Sequence, residues 1–287
     1  MNSKSAQEST AQMFFEDYGV PSLYISSEAV LSLFNSGRTT GLVFNAGSGS
    51  FQVVPVYEGH SVQHGINRVN LSGKGLTSWL EELLNQSGIE LKKMKNEGDR
   101  RILEKIKEDL CYVAFDYQDE VAKFEKGESK TSHYKLPDEH VVTLGSELIT
   151  SPEALFTPDL LGGSFAAVHQ TAVNSIQKCD VDLRKQLFRN ITLSGGSSMF
   201  SGIKERLANE IIPLAPHYAK VNILAPNDRE YSTWTGGSIL SIMNSFQNRW
   251  LKRANTMSME VSSFTESCSK SLLIYHSCPQ MISKPHN

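Results

Sequence analysis

The feature that most constrains this chain is a pair of β-rich runs, Gly41-Leu-Val-Phe-Asn-Ala46 and Phe51-Gln-Val-Val-Pro-Val-Tyr57, separated by Gly47-Ser-Gly-Ser50. Strand-forming residues on either side of a short glycine-serine turn predict a β-hairpin. Further on, Asn190-Ile-Thr-Leu-Ser-Gly-Gly-Ser-Ser-Met-Phe200 passes from a strand into a second glycine turn, and Ile203, Leu207 and Ile211 then recur in helical phase. Strands alternating with helices across glycine turns predict an α/β fold.

The remaining elements fill in around these two. Ala11–Tyr18 reads as a short helix closed by Gly19 and Pro21, and Ser27–Asn35 as a second, stopped by Gly37. Thr77 is placed to cap a helix carrying Leu80, Leu83 and Leu84. Residues 90–101 read as a charged loop, Ile102–Tyr117 as a strongly periodic helix, Glu125–Ser132 as exposed loop, and Tyr134–Ile149 as hairpin-like around Pro137-Asp138. Helices are expected near Ser164–Gln177 and Asp182–Phe188, a short strand over Val221–Ala225, and a last helix opened by Gly236-Gly237 and running to about Trp250. Ala254–Asn287 is serine- and methionine-rich, weakly patterned, and reads as poorly ordered.

Composition bounds the function. The 287 residues are 39% hydrophobic and 21% charged, ordinary for one large or two modest globular domains. A formal charge of −3 leaves no basic field for direct nucleic-acid or anionic-membrane binding. No apolar run is long enough for a membrane span, and Met1–Thr10 is polar, which predicts no secretory leader. Cys111, Cys179, Cys268 and Cys278 lack zinc-ligand spacing, and Cys111 falls inside a helical pattern as a buried thiol. A reducing compartment, cytoplasm or nucleus, is expected.

Three motifs carry candidate chemistry. In Asn45-Ala-Gly-Ser-Gly-Ser50 the glycines Gly47 and Gly49 and the small Ser48 would let backbone N–H groups approach a phosphate, although such a turn on its own is more often only a turn. Leu193-Ser-Gly-Gly-Ser-Ser-Met199 would set a helix start, with its free N–H groups, against a ligand, or be a plain strand-to-helix turn. Lys107-Glu108 lies within a helix, where adjacent residues diverge and a solvated surface is the ordinary reading. Neither the dinucleotide fingerprint nor the P-loop pattern is present, nor a nucleophile elbow. From the residues alone the reading stops at an α/β protein whose glycine turns could take a phosphate or be plain turns.

Taken together, these segments resemble the actin family, colinearly from about Asn2 to Lys252. The resemblance is carried by Glu28-Ala-Val-Leu-Ser-Leu-Phe-Asn-Ser-Gly-Arg-Thr-Thr-Gly41, Val54-Pro-Val-Tyr-Glu-Gly59, Lys107-Glu-Asp-Leu-Cys-Tyr-Val-Ala114, Ser151-Pro-Glu-Ala-Leu-Phe156, Asn174-Ser-Ile-Gln-Lys-Cys-Asp-Val-Asp182, Leu193-Ser-Gly-Gly196 and Trp234-Thr-Gly-Gly-Ser-Ile-Leu240. It implies the two-lobed α/β fold shared with sugar kinases and heat-shock chaperone ATPases, with ATP or ADP and Mg between the lobes. By that similarity the Asn45–Ser50 hairpin, with Gly47, Ser48 and Gly49, is the second phosphate loop. Gly73, Lys107 and Glu108 would lie near ribose and base, and Gly195, Gly196 and Met199 would line the nucleotide pocket. Because Met1 aligns after the family's first phosphate loop and DNase-binding loop region, the first lobe is expected to be partial and the second complete. The expected division is 1–35 with 232–253 as the remnant first lobe, 36–71 with 164–231 as the core subdomain, 72–163 as a helical peripheral subdomain, and 254–287 as a tail.

The departures from the family matter as much. Glu28 stands where actins have a glutamine that positions the attacking water. Asn45 stands for a metal-site aspartate, Ser48 for a second aspartate, and Gln52 for a histidine on the following strand. Glu230 replaces a lysine near the base, and Arg249 a methionine at the rim of the partner groove. These changes imply weak nucleotide and metal binding, little hydrolysis and no assignable catalytic or metal-ligating residue. Actin or actin-binding proteins are the expected partners, through a groove at Phe34, Gly37, Thr39, Gly59, Leu240, Met243 and Ser245, whose residues could equally serve only to pack helices. The expected role is that of an actin-related cytoskeletal or structural protein acting through partner binding in the cytoplasm, with the nucleus also open. The alternatives are a low-activity ATPase using Glu28, and a truncated product of a longer actin-related gene.

Overall fold

The computed structural model describes residues 4–89, 97–129, 131–137, 139–163, 165–253 and 271–276. From the amino end the chain forms Lys4–Glu16 (α1), Ser22–Ser27 (β1), Glu28–Asn35 (α2) and the hairpin Gly41–Ala46 (β2) and Phe51–Tyr57 (β3). In the hairpin, Val43 sits opposite Val54 and Asn45 opposite Gln52. Both strands are buried on both faces, which requires apolar residues in unbroken runs rather than in alternation. Successive side chains serve two cores. Leu42, Phe44, Ala46, Phe51 and Val53 join the main one, while Val43, Val54 and Val56 pack on Ala29, Val30 and Leu33 of α2.

The chain continues through His60–Ser61 (β4), Asn67–Val69 (β5), Gly73–Gln86 (α3), Glu97–Leu110 (α4), Tyr117–Glu125 (α5), Ser132–Lys135 (β6), Val141–Leu144 (β7) and Glu147–Glu153 (α6). It closes with Val168–Lys178 (α7), Val181–Arg189 (α8), Ile191–Ser194 (β8), Ile203–Ile211 (α9), Ile223–Leu224 (β9), Ser232–Ile242 (α10), Leu251–Lys252 (β10) and Ser271–His276 (β11). The larger sheet runs β4-β3-β2-β8-β9, with β5 also on β3. In it β8 is parallel to both β2 and β9, and β3 is antiparallel to β2. A second sheet, β10-β1-β11, is antiparallel throughout, and β6 and β7 pair by themselves. One contiguous core joins the larger sheet to α3, α4, α6, α7 and α9. The helices α2 and α10 cross so closely that a Cβ on Gly236 would lie 1.8 Å from the Leu31 carbonyl oxygen.

Several elements differ from what the sequence predicts. The helix α3 begins at Gly73, not Thr77, because the Ser72 hydroxyl caps it by accepting from the Gly75 N–H; the Thr77 hydroxyl instead donates to the Gly73 carbonyl inside the helix. Residues 97–101 belong to α4 rather than to a loop, and 90–96 lie outside the described residues. This helix stops at Leu110, since the Tyr112 and Val113 N–H groups bond to Leu148 and Ser201 carbonyls and pull the chain out of the helical path. Asp116, accepting from the Asp119 N–H, then caps the unforeseen α5. Gly236 and Gly237 lie inside α10, Gly236 at the close crossing with α2, and the helix ends at Ile242; a 3-10 turn, Asn244–Arg249, takes over. Within 254–287, read as poorly ordered, Ser271–His276 forms a strand against the whole of β1, and the rest of that stretch lies outside the described residues.

Candidate functional site

The carboxyl ends of β2 and β8 lie side by side, with Asn45 paired in register to Ser194. Where parallel strands end, the departing chain leaves a crevice between its turns. The chain leaving β2 makes the tight turn Gly47-Ser-Gly-Ser50, closed by the Gly47 N–H donating to the Ser50 carbonyl at 2.9 Å. The chain leaving β8 turns at Gly195, whose φ of +90° suits glycine and where a Cβ would lie 2.3 Å from the Ala46 carbonyl oxygen. The start of α3 completes the set. The Gly73 N–H donates to the Gly47 carbonyl at 3.2 Å and the Lys74 N–H to Ser48 at 2.9 Å. The Ser197 hydroxyl donates to the same Gly47 carbonyl at 3.3 Å, and a Cβ on Gly73 would lie 2.4 Å from that hydroxyl oxygen. Three small-residue segments far apart in sequence thus meet backbone to backbone.

Their outer side is open. Ser48, Gly49 and Gly196 are exposed, and a Cβ on Gly49 or Gly196 would meet nothing within 4 Å. Met199 is 36% exposed beside them in sequence, and its N–H donates to the Gly196 carbonyl. Lys107 and Glu108 part company. Glu108 is exposed, whereas Lys107 is buried, with Nζ donating to the Gly73 carbonyl at 3.1 Å and to Thr77 Oγ1 at 2.9 Å. Burial pulls the Lys107 ammonium below its ordinary pKa, and Glu108 and Glu104 act weakly against that. Lys107 therefore holds the start of α3 from within.

A polar lattice backs the crevice on the α2 and α10 side. Asn45 Nδ2 donates to Glu28 Oε2 at 2.7 Å, and Glu28 opens the first turn of α2. Ser32 Oγ lies 2.8 Å from both Ser194 Oγ and Thr233 Oγ1, and Asn35 Nδ2 donates to Ser232 Oγ at 3.1 Å. Gln52, opposite Asn45 in the hairpin, is 1% exposed. Ser32, Thr233 and Arg229 are unmarked in the sequence, and Thr77, expected as a helix cap, instead accepts from the Lys107 ammonium. Arg229 clamps the β8 turn, since Nε and Nη2 donate to the Ser198 carbonyl at 3.0 and 2.7 Å while its own carbonyl accepts from the Gly195 N–H. No local pattern gives these roles, because they arise from contacts between distant segments.

Phosphate-type ligands suit the open glycine turns, where backbone N–H groups can be approached without a Cβ in the way. A metal's donor set is another matter. Among the described residues no three His, Cys, Asp or Glu side chains gather where they could hold a cation. Glu28 is the carboxylate that the lattice brings to the strand ends, and the Asn45 amide already occupies one of its oxygens.

The groove residues divide. Leu240 is 7% exposed and packs with Leu31, Phe246 and Trp250, and half-buried Phe34 lies against that cluster. A Cβ on Gly59 would be 3.6 Å from the Phe34 ring, and the Gly59 N–H donates to the Thr39 carbonyl. Gly37, Thr39, Met243, Ser245 and Arg249 are exposed, as are Ile239 and Ile242 on the outer side of α10.

Parallel strand ends, glycine turns and the first turns of two helices gathered at one crevice define an α/β protein whose candidate site lies at the carboxyl edge of its sheet. The family model described as Actin matches residues 1–256 of the chain. The chain belongs to the actin family, and its mixed α/β architecture is an actin-like fold.

Proposed function

We propose that this protein acts as an actin-related cytoskeletal or structural protein through partner binding, with weak nucleotide binding and little ATP hydrolysis. One observation carries the reading. The polar lattice draws a carboxylate, Glu28, to the ends of β2 and β8, hydrogen-bonded to Asn45 Nδ2 at 2.7 Å, and among the described residues no three His, Cys, Asp or Glu gather to hold a cation. A magnesium ion on a triphosphate relies on a few carboxylates and ordered waters, and a single amide-bound carboxylate is a thin anchor for it.

The nucleotide assignments follow the same proposal. Ser48 and Gly49 would offer backbone N–H groups to phosphate beside Gly47, whose own N–H closes the turn on the Ser50 carbonyl, while Gly73, Lys107 and Glu108 would stand on the ribose and base side, and Gly195, Gly196 and Met199 on the opposite wall. ATP or ADP, when bound, would supply the phosphate chain that such turns recognise. Partners, actin or actin-binding proteins, would engage the exposed rim at Gly37, Thr39 and Met243 above Phe34 and Leu240, in the cytoplasm. No helix among the described residues is long and apolar enough to cross a membrane. Calorimetric titration with Mg-ATP, together with a phosphate-release assay, tests the reading. Binding weaker than micromolar and no steady release are expected; micromolar or tighter binding with steady release would overturn it.

A second reading, slow hydrolysis with Glu28 as the acting carboxylate, is favoured by the same hydrogen bond, which orients Glu28 at the strand ends. It requires that Glu28→Gln abolish turnover; equal slow release by both proteins would remove it.

A further inference from the structure

The strand β1 has two neighbours of very different extent. On one side β10 pairs with Ser22 and Leu23 alone; on the other, β11 pairs with all of Ser22–Ser27, from Ser22 opposite His276 to Ser27 opposite Ser271. Nothing in β1 blunts that second edge. Its sequence, Ser-Leu-Tyr-Ile-Ser-Ser, has no charge and no proline, and Leu23, Ser26 and Ser27 are buried. An uncharged, regular strand edge with buried flanks is a template for pairing with whatever extended chain is at hand. The segment that meets it, Ser-Leu-Leu-Ile-Tyr-His, is likewise free of proline and of acidic, lysine or arginine residues.

We propose that Ser271–His276 is a self-supplied edge strand, which fills the β1 edge, keeps the chain monomeric, and on withdrawal leaves an edge that pairs with a second copy of the chain. Effective concentration decides between the two occupants. A strand tethered through residues 254–270 is presented at on the order of millimolar, so a second copy at micromolar concentration loses by roughly a thousandfold. The ladder is also what chiefly holds β11. The helix α10 also packs against it, and its sheet, β10-β1-β11, is separate from the larger one, so β11 can leave without breaking the larger sheet.

The full chain carrying Leu272→Pro and Ile274→Pro tests this, because proline removes the ladder donors from β11. In the variant diluted until it is monomeric, hydrogen exchange at Ser22–Ser27 should quicken at least tenfold while Gly41–Ala46 stays protected; at higher concentration the β1 edge pairs with a second copy. Light scattering should show a dimer where the parent chain is a monomer. A peptide of the sequence 269–278, added at millimolar concentration, should return the variant to monomer. Unchanged protection of β1 in the diluted, monomeric variant, or a variant that stays monomeric when concentrated, would overturn the proposal. If the variant does not fold, register decides instead. Ser26 and Leu272 are opposite, so Ser26→Cys with Leu272→Cys, in a Cys268→Ser and Cys278→Ser background, should form a disulfide within one chain. An intermolecular bond only, or none, would overturn it.

Discussion

Asn45 Nδ2 lies 2.7 Å from Glu28 Oε2, so an amide at the end of β2 donates to a carboxylate in the first turn of α2. Asn45 is 6% exposed, which makes the pair sensitive to its charge. Asn45→Asp would set two carboxylates against each other and raise the pKa of one. The penalty is present at neutral pH and fades as acid protonates the pair. Glu28→Gln alone leaves two amides that can still bond. Exchanging both, Glu28→Gln with Asn45→Asp, restores one donor and one carboxylate. The double variant should therefore be more stable than the sum of the singles by about 1–3 kcal/mol, measured from urea midpoints at pH 7.

The glycine pair at the end of β8 separates packing from openness. A Cβ on Gly195 would lie 2.3 Å from the Ala46 carbonyl, and φ there is +90°; a Cβ on Gly196 meets nothing within 4 Å. Gly195→Ala should lower stability by about 2–4 kcal/mol, through strain and displaced backbone. Gly196→Ala should change it by about 0.5 kcal/mol or less. Thermal melts of the two variants give the comparison directly.

How much of this was legible beforehand follows a physical pattern. The β2–β3 hairpin and α9 could be read because local periodicity and turn chemistry determine them. The start of α3 could not, since both Ser72 and Thr77 are cap-type residues and the choice depends on which hydroxyl meets a free N–H. The end of α4 was hidden for a different reason. Val113 keeps the apolar phase of the helix, yet its N–H bonds to Ser201 on a distant turn. At the strand ends the glycine segments could be read as turns, whereas the burial of Lys107 and the clamp of Arg229 exist only once remote segments meet. β11 was missed because an apolar run inside a serine-rich stretch has no local partner, and its pairing with β1 spans most of the chain.

Alkaline pH should expose a second buried group. Burial pushes the Cys111 thiol from its ordinary 9.0 up to about 12, with Lys107 weakly opposing. The folded state thus keeps a proton that the unfolded chain releases above pH 9, so stability falls as pH rises from 9 towards 12. The full span is on the order of 4 kcal/mol. Lys107 works in the opposite sense, since its lowered pKa lets the fold shed a proton before the unfolded chain does, and stability rises there. Cys111→Ala should flatten the alkaline decline, and Lys107→Met should steepen it. Guanidinium midpoints at pH 8, 9 and 10 distinguish the two.

The ion pair between Arg206 and Glu153 ties α9 to α6, with Nη2 to Oε1 at 2.9 Å and Nη1 to Oε2 at 3.1 Å. Glu153 is 1% exposed, and burial pushes its carboxyl above the ordinary range even though Arg206 pulls it back. The pair is therefore less a source of stability than a condition for keeping the acid buried. Arg206→Met leaves the carboxylate without its cation and should cost about 3–5 kcal/mol at pH 7. Lowering the pH towards 5 should recover part of that loss, because the folded state then takes up a proton more readily than the unfolded chain. Glu153→Gln keeps an acceptor for the guanidinium and for Thr157 without the buried anion, so it should cost less than Arg206→Met and show no such recovery. Urea midpoints of both variants at pH 7 and pH 5 decide it, and an Arg206→Met loss that is equal at the two pH values would mean that Glu153 was not the group left stranded.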